Sequence, residues 1–411
     1  MSPQTMIISW NITRRCNLAC DHCYIDAVRR RRSFPDELGT ADAGRLTAQI
    51  AALAPGAMLV LSGGEPMLRR DLAALVKLAA ESGLAPVIGT NGTLLNERRA
   101  KRLKDAGAAG VGISLDSATP AFHDRLRGKV GAWKAAVRGV AAARRAGLPV
   151  SLQATLFEEN RGELAALAAL AESLGAIALN FFFLVCTGRG VERTDLSAAA
   201  YEEALAAMVE RQRQGARLMI RARCAPHLRR LLGLHAGETR DDYAGWSSAC
   251  LAGRSYLRIT PEGDVTPCPY IPLALGNIAR TPLRQIWQQH PVLARLRSEL
   301  PGGKCADCDF RHSCGGCRAR ALAQHGELMA EDPSCAHVRP AGAAPEPAPR
   351  AATRAEVPWD PAAQALLERI PAFVRVHVRA RLEECAAQEG QTRVTVELMR
   401  ARRPPAVFRD G

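Results

Sequence analysis

The feature that most constrains the fold is a regular alternation of two kinds of segment between residues 6 and 190. Short β-like runs occupy 6–11, 57–62, 86–90, 110–115, 149–155 and 177–185, and Ala/Leu-periodic helical stretches occupy 40–53, 69–82, 96–106, 132–146 and 161–174. Glycines at 83, 107, 147 and 175 close the last four helices. Six such repeats predict an α/β fold with a parallel sheet, either open and doubly wound or a partial barrel.

Polar motifs follow five of the six predicted strands. They occupy residues 16–23, 62–66, 90–93, 114–116 and 187–190. The carboxyl ends of parallel strands meet at one edge of the sheet, and α/β folds bind their ligands there. Turn formation explains the Gly and Asn residues of these motifs. It does not explain cysteines and a glutamate on the same edge, which therefore indicate a functional site.

The first motif contains three cysteines in the spacing C-x3-C-x2-C, at Cys16, Cys20 and Cys23. Three thiolates on one loop can hold three irons of a cubane iron–sulfur cluster. The fourth iron is then open to a substrate or cofactor. The alternatives are a zinc site, with His22 as a further ligand, and reactive free thiols.

The chain has 13 cysteines. Its first ten residues lack the features of a signal peptide, and no stretch is long and apolar enough for a membrane span, so we expect a cytoplasmic protein. Disulfides are disfavoured in that compartment, and clustered cysteines there more often bind metal.

The formal net charge is +14, but only six of the 55 basic residues are Lys, and the basic residues are spread along the chain. This distribution favours a solvated basic surface over a nucleic-acid interface. Attraction for an acidic ligand is the alternative.

Together these motifs resemble the radical S-adenosylmethionine (SAM) superfamily over about residues 5–190. The resemblance implies a partial (β/α)6 TIM-like barrel and a 4Fe–4S cluster whose open iron binds SAM, which one electron cleaves to a 5′-deoxyadenosyl radical that abstracts hydrogen from a substrate. It implies that Gly63, Gly64 and Glu65 meet the methionyl amine, and that Ser114 and Arg127 meet the ribose or carboxylate. A surface arginine is the alternative for Arg127. The cofactor-binding residues expected from the resemblance are Gly63, Gly64, Glu65, Thr90, Asn91, Ser114, Asp116 and Arg127.

A second group of cysteines lies between residues 250 and 335. It resembles the SPASM extension of radical SAM maturases over about residues 245–340, which implies one or two auxiliary 4Fe–4S clusters. Zinc is the alternative on the spacing alone. The resemblance assigns Cys305, Cys308, Cys314 and Cys335 to one cluster, and Cys250, Cys268 and Cys317 to the other.

The sequence departs from the SPASM pattern in two places. Two residues, not three, separate Cys314 from Cys317, and no further cysteine lies between Cys250 and Cys268. The second cluster therefore has either three thiolates and an open site, or Cys224 as its fourth ligand, and a buried structural thiol is the alternative for Cys224. We expect Cys186 and Cys385 to be core residues.

Residues 340–358 contain twelve Ala or Pro in nineteen positions, which is typical of a flexible linker. The segment that follows resembles a small domain of light-independent protochlorophyllide reductase subunits, and the alternative is a helical module for dimerisation or docking. The predicted organisation is a radical SAM core over 5–215, a SPASM-type domain over 216–340, a linker over 341–357 and a small C-terminal domain over 358–403.

The C-terminal segment and the motifs at 180–190, 224–227 and 268–272 resemble radical SAM proteins of haem d1 and alternative haem synthesis. This implies side-chain tailoring of a tetrapyrrole, with an electron donor such as flavodoxin or ferredoxin. A peptide or protein maturase is the first alternative, and only about five residues before the first predicted strand argue against a leader-binding domain. A non-catalytic iron–sulfur adaptor is the second alternative. No residue is predicted to act as a catalytic acid, base or nucleophile.

Overall fold

The computed structural model describes residues 6–30, 32–192, 195–214, 218–234, 249–348, 357–368, 370 and 372–402. The predicted domain limits at residues 5, 215–216 and 403 lie outside these residues, as does most of the predicted linker, over 349–356. No described helix is long and apolar enough to cross a membrane.

The centre of the molecule is one sheet whose described strands are β1 to β10. Their bounds are Ile7–Asn11, Met58–Ser62, Ala85–Thr90, Gly110–Ser114, Val150–Leu156, Ala178–Phe183, Met219–Arg223, Tyr256–Ile259, Asp264–Thr266 and Gly276–Asn277. The strand order is β10-β9-β8-β1-β2-β3-β4-β5-β6-β7. Neighbours from β8 through β1 to β7 are parallel, whereas β9 and β10 are antiparallel additions.

All six predicted strands are confirmed. Two further parallel strands, β7 and β8, lie at opposite ends of the predicted six, with β8 pairing β1 from Ile7↔Tyr256 to Trp10↔Ile259. Among the described residues, β7 and β10 are each paired on one side only. The sheet is therefore a partial barrel, as predicted, and it continues past residue 215 through β7.

Eight helices of the barrel region connect or flank the strands. They are α1 Thr40–Leu53, α2 Leu72–Glu81, α3 Glu97–Asp105, α4 Pro120–Leu126, α5 Ala132–Arg145, α6 Leu164–Ser173, α7 Ala198–Arg213 and α8 Leu228–Leu234. The predicted helix at 69–82 begins three residues late, because a 3₁₀ turn over Pro66–Leu68 comes first. The helix α4 was not predicted. The four closing glycines all have positive φ, of 75°, 97°, 72° and 66° in chain order, which only glycine adopts readily.

The main core lies between the sheet and this helical layer. Trp10 and Ile113 of the sheet are fully buried in it, and Leu46 and Ile50 of α1 belong to the same core. The described part of the Cys-rich region adds the helices Leu283–Gln289, Pro291–Ser298 and Arg318–His325, whose apolar residues join the same core.

The C-terminal module contains helices Pro361–Glu368, Ala372–Gln388 and Val396–Ala401. Val357, Leu382, Ala386, Val394 and Leu398 form a small core of its own. Cys385 packs against this core, as expected for a structural thiol.

The start of the predicted linker is held in place by Glu346. Its carboxylate accepts hydrogen bonds from the backbone N–H groups of His312 (2.7 Å) and Ser313 (2.9 Å), and its own N–H donates to the Cys308 carbonyl (3.2 Å). Arg311 Nε donates to the Glu346 carbonyl (2.7 Å). The described first part of the linker is thus attached to the loop between Cys308 and Cys314, which a flexible linker would not be.

Candidate active site and iron–sulfur sites

One cavity of about 490 Å³ runs along the inside of the partial barrel. Its wall includes the three cysteines of the first motif and also Cys224, Cys250, Cys268 and Cys317. Of the other predicted cofactor-binding residues, Gly63, Gly64, Thr90, Asn91, Ser114, Asp116 and Arg127 line it. The structure therefore brings the predicted SAM site and one set of auxiliary cysteines to a single space.

The loop that carries Cys16, Cys20 and Cys23 presents all three sulfurs to hydrogen-bond donors. The N–H of Leu18 donates to Cys16 Sγ and that of Ala27 to Cys23 Sγ, both at 3.4 Å, and Arg127 Nη1 lies 3.7 Å from Cys20 Sγ. Burial raises the pKa of Cys16 to about 12. A buried thiol with donors aimed at its sulfur is suited to a metal, because a bound cation replaces the proton and the donors stabilise the thiolate. The residues therefore fit a cluster.

The Gly63-Gly64 pair packs against the chain that enters this loop. A Cβ on Gly63 would lie 2.4 Å from the carbonyl oxygen of Thr13, and one on Gly64 would lie 2.1 Å from that of Arg15. The N–H of Gly64 donates to Thr13 (2.7 Å) and the next N–H donates to Arg15 (2.7 Å). Only glycine permits this approach, which fixes the cysteine loop against the end of β2.

Glu65 is fully buried and does not line the cavity. Its carboxylate accepts hydrogen bonds from Thr90 Oγ1 (2.7 Å) and from the backbone N–H groups of Met67 (3.0 Å) and Asn91 (2.9 Å). Burial raises its pKa, although these three donors oppose the shift. The carboxylate joins the ends of β2 and β3, and its contact with the methionyl amine stays a prediction.

Asn91 connects the end of β3 to the cysteine loop. Its side-chain amide donates to Asn17 Oδ1 at 2.9 Å and lies 3.9 Å from Cys16 Sγ. Asn17 in turn donates to Thr93 Oγ1 at 2.8 Å. Ser114, at the end of β4, lines the cavity beside this wall.

Asp116 and Arg127 form a buried ion pair next to Cys20. Arg127 Nε and Nη2 both lie 2.6 Å from Asp116 Oδ2, and the N–H of Thr155 donates to Oδ1 at 3.1 Å. Burial alone would raise the pKa of Asp116, but the charge of the Arg127 guanidinium, the largest of several opposing contributions, helps to lower this pKa to about 2. Arg127 is only 8% exposed, so the surface alternative for this residue is wrong.

His123 lies behind this pair and is neutral at pH 7. Its Nδ1 accepts from the backbone N–H of Asp116 at 3.2 Å, and burial lowers its pKa to about 4. An uncharged imidazole leaves Asp116 as the full counter-charge of Arg127.

Arg189 is a site residue that the sequence did not single out, although its motif was placed at the correct edge. Its Nε donates to the Cys20 carbonyl (2.9 Å) and its Nη1 to the Ala27 carbonyl (3.1 Å). A Cβ on the preceding Gly188 would lie 2.5 Å from the Cys23 carbonyl oxygen. The loop after β6 therefore contacts the cysteine loop directly and helps to hold it in place.

The structure groups Cys224 with Cys250, Cys268 and Cys317. Burial raises the pKa of Cys224, and the neighbouring Cys317 and Cys250 raise it further. Burial likewise raises the pKa of Cys268, with further contributions from Cys224, Cys250 and Cys317. Cys224 has a φ of 58°, which is unusual for a residue other than glycine and marks a position held by its surroundings. These four thiols line one cavity, an arrangement that suits a four-iron cluster; the role of Cys224 as its fourth ligand stays a prediction.

The other cysteines that the resemblance assigned to an auxiliary cluster, Cys305, Cys308, Cys314 and Cys335, lie close enough to influence one another. Burial raises the pKa of the first three, and Cys335 adds to each shift. Cys308 also lies near His337 and Asp309, whose ligand atoms fall within 4.8 Å of one another and of its sulfur.

A buried charged group lies between the two auxiliary sets. Asp332 accepts from the N–H of Cys317 (2.6 Å), and Arg320 Nη1 (3.3 Å) and His227 Nε2 (3.3 Å) lie beside it. Burial acts to raise the pKa of Cys335, but the contact with His227 and other neighbours outweighs burial, and the pKa is lowered. The 224–227 motif thus supplies one set with a thiol and the other with an imidazole. Cys186 packs against an apolar cluster, as expected for a structural thiol.

Comparisons with known proteins agree with this geometry. Residues 10–171 match the radical SAM superfamily, residues 250–309 match an iron–sulfur cluster-binding domain (SPASM), and residues 359–403 match the proto-chlorophyllide reductase 57 kD subunit. The protein is therefore a radical SAM enzyme with an iron–sulfur extension, and its cofactors are 4Fe–4S clusters and SAM. The chain belongs to the radical SAM superfamily.

Two relatives and one solved structure illustrate the similarity. The chain is 35% identical to the AdoMet-dependent heme synthase of Methanosarcina barkeri, over 82% of this chain and 97% of that protein. It is 33% identical to the pre-heme d1 synthase of Dinoroseobacter shibae, over 81% and 86%. Its fold is similar to that of Streptococcus suis SuiB bound to S-adenosylmethionine, with a TM-score of 0.65, 16% identity, and 81% and 78% of the two chains covered.

Proposed function

We propose that this enzyme modifies the side chains of a tetrapyrrole by hydrogen abstraction. The similarity to a heme synthase and a pre-heme d1 synthase supports this substrate class. The bound cluster and SAM supply the 5′-deoxyadenosyl radical, and the residues of this chain position it and the substrate.

The observation that carries the proposal is the charge of the cavity wall. Four arginines line it, namely Arg127, Arg189, Arg221 and Arg223, whereas Asp116 is the only carboxylate among the described lining residues. Asp116 is already paired with Arg127. Guanidinium groups form bidentate hydrogen bonds with carboxylates, so this wall suits a substrate that bears several propionates or acetates.

Arg221 and Arg223 are placed to meet such groups. They alternate with Ile220 and Ala222 on β7, and with Met219 they face the cavity. The same cavity has apolar walls, including Val60, Val87 and Phe182, that suit a macrocycle. Its volume of about 490 Å³ lies within the range of ligand sites, roughly 300–1,000 Å³.

We further propose that Ser114 contacts the ribose of SAM and that Gly63 and Gly64 offer backbone groups to its amino-acid part. Their positions on the wall next to Cys16 support these roles. We also propose a flavodoxin or ferredoxin as electron donor, because cleavage of SAM needs one electron from outside the chain.

The test is an anaerobic assay of the cluster-loaded enzyme with SAM, dithionite and iron coproporphyrin III as probe. We expect a shift of the visible spectrum on binding and a change in porphyrin mass with formation of 5′-deoxyadenosine. Replacing Arg221 and Arg223 by Gln should weaken binding by roughly tenfold or more, since hydrogen bonds to charged groups contribute about 1.5–3 kcal/mol each. Arg102→Gln, on the exposed face of α3, is the control.

A peptide maturase is the alternative. It is supported by sequence similarity to the PqqA peptide cyclase of Rhizobium meliloti, at 32% identity, and by a SuiB structure of similar fold, with a TM-score of 0.64, that carries the precursor peptide SuiA. A lack of porphyrin binding at micromolar concentration, together with a new crosslink in a co-expressed peptide, would establish it instead.

A further inference from the structure

A run of four arginines, residues 29–32, directly follows the cysteine loop. Of these, Arg29, Arg30 and Arg32 are described, and all three are exposed. The run begins after Val28, whose backbone pairs with Arg15 and with Cys16 at the start of the loop. Such a run is usually only a solvated surface. Its position relative to the cluster site decides whether it can also bind a partner.

The first residue of the run, Arg29, contacts the loop that follows α4, and Arg30 lies over the ring of Phe34 at 4.5 Å. Arg29 Nη2 donates to the Gly128 carbonyl at 2.9 Å. Lys129, next to Gly128, is exposed, and Val130 is 93% exposed. We call the surface formed by Arg29, Arg30, Arg32, Lys129 and Val130 the basic patch.

The basic patch is connected to the cysteine loop through the end of α4. The N–H of Ala19 donates to the Arg127 carbonyl (3.3 Å) and that of Asp21 to the Leu126 carbonyl (3.0 Å), so the end of α4 pairs with the cysteine loop. The guanidinium of the same Arg127 lies 3.7 Å from Cys20 Sγ. A molecule seated on the basic patch is therefore adjacent to the site that must be reduced.

The acidic groups around the basic patch are mostly engaged by other partners. Asp26 accepts from the N–H of Arg189 at 3.0 Å, and Asp36 pairs with Arg14 at 2.9 Å. Asp124 accepts from the N–H groups of Gly131 and Trp133. The exposed arginines and Lys129 therefore dominate the charge that this surface presents to solvent.

We infer that the basic patch docks an acidic, flavin-containing electron carrier of the flavodoxin type. Basic side chains complement the acidic surface of such a carrier and steer its approach. The exposed Val130 and Val28, 93% and 42% exposed, suit the apolar edge of a flavin. The inference rests on the proposed radical SAM function, which requires one electron per cleavage. The anionic flavin hydroquinone gives up that electron and no proton and becomes the neutral semiquinone, while the cluster at the cysteine loop is reduced by one electron.

The experiment compares two charge reversals of equal size in the cluster-loaded enzyme. The patch variant carries Arg30→Glu, Arg32→Glu and Lys129→Glu, and leaves Arg29 to hold Gly128. The control variant carries Arg98→Glu, Arg102→Glu and Lys104→Glu, two arginines and one lysine that are exposed on α3. Stopped-flow absorbance measures cluster reduction by flavodoxin hydroquinone, and dithionite replaces flavodoxin in a parallel series.

At low ionic strength we expect flavodoxin to reduce the patch variant about tenfold more slowly than the unaltered enzyme, within the range of electrostatic steering. The difference should shrink at high salt, because salt screens exposed charges. The control variant should change less than twofold, and dithionite should support equal SAM cleavage in all three proteins. A neutral patch variant with Gln at the same positions should fall between the unaltered and reversed proteins.

Equal flavodoxin rates in the patch variant and the unaltered enzyme would overturn the inference while leaving the proposed function intact. A patch variant that loses affinity for DNA or for anionic vesicles, yet keeps its flavodoxin rate, would also overturn it. Absence of SAM cleavage with either reductant would instead count against the proposed function.

Discussion

Asp116→Asn should destabilise the end of the sheet next to the cluster loop by about 3 kcal/mol. Asp116 is fully buried and its carboxylate is the counter-charge of Arg127, which is itself buried. Removing one partner of a buried ion pair costs about 3–5 kcal/mol, because the other charge is left uncompensated. The asparagine oxygen can still accept from the N–H of Thr155, which places the expected cost at the lower end.

The local cost is best read from hydrogen exchange of the β4 and β5 amides. A loss of about 3 kcal/mol should speed exchange limited by local opening roughly a hundredfold, at 1.4 kcal/mol per factor of ten. The control is Asp105→Asn, which breaks an ion pair with Lys101 whose side chains are 58% and 74% exposed. Exposed pairs contribute at most about 1 kcal/mol. If Asp116→Asn accelerates exchange around β4 no more than Asp105→Asn does around α3, the buried pair does not stabilise this region as argued.

The same carboxylate sets the direction of a pH effect. The pKa of Asp116 is lowered to about 2 in the folded protein, below its usual value near 3.9. Its contribution to stability is therefore fully present above pH 4 and is lost as the pH falls towards 2. Protection of β4 and β5 in the unaltered protein should decline over that range more than in Asp116→Asn.

Two further predictions concern the auxiliary sites. Cys224→Ala should lower the iron content of the reconstituted enzyme by up to about four irons. The control is Cys186→Ala, at a thiol packed in an apolar cluster, which should leave the iron content unchanged. Equal iron content in both variants would exclude Cys224 as a ligand. A chain ending at residue 340 should release iron to a chelator faster than one ending at residue 348, because only the longer chain keeps the hydrogen bonds of Glu346 to the loop after Cys308. Equal release rates would show that these bonds do not protect a cluster at Cys305, Cys308, Cys314 and Cys335.

The alternation of β-like and helical segments was enough to predict six parallel strands, and the polar motifs after five of them predicted the edge that carries the site. The order of the strands in the sheet came only from the structure. The strand β7 was not predicted, because arginines in a short segment suggest exposure to solvent. In the structure, Arg221 and Arg223 face a cavity. The strand β8 was not predicted, because its partner β1 lies about 250 residues earlier in the chain. Hydrophobic periodicity carries no information on pairing between segments so far apart in sequence.

The sequence predicted which residues lie at this edge of the sheet, but it did not predict which groups they contact. Glu65 was correctly placed at the end of β2, yet its carboxylate bonds Thr90 and two backbone N–H groups away from the cavity. Arg127 was predicted to meet the ribose or carboxylate of SAM, with a surface arginine as the alternative. Neither expectation included its ion pair with Asp116 or its contact with Cys20, because only the fold brings these residues together. Cys224 could be assigned to a set only once the structure brought it to Cys250, Cys268 and Cys317.

The pairing of β1 with both β2 and β8 has a consequence for synthesis of the chain. The edge of β1 that includes Ile7 and Ile8 receives its partner only when residues 256–259 have left the ribosome. At about 5–20 residues per second, that takes roughly 12–50 s after β1 itself appears. An apolar strand edge exposed for so long is a site for wrong pairing with other chains. The yield of soluble enzyme should therefore depend on chaperones that act on the nascent chain.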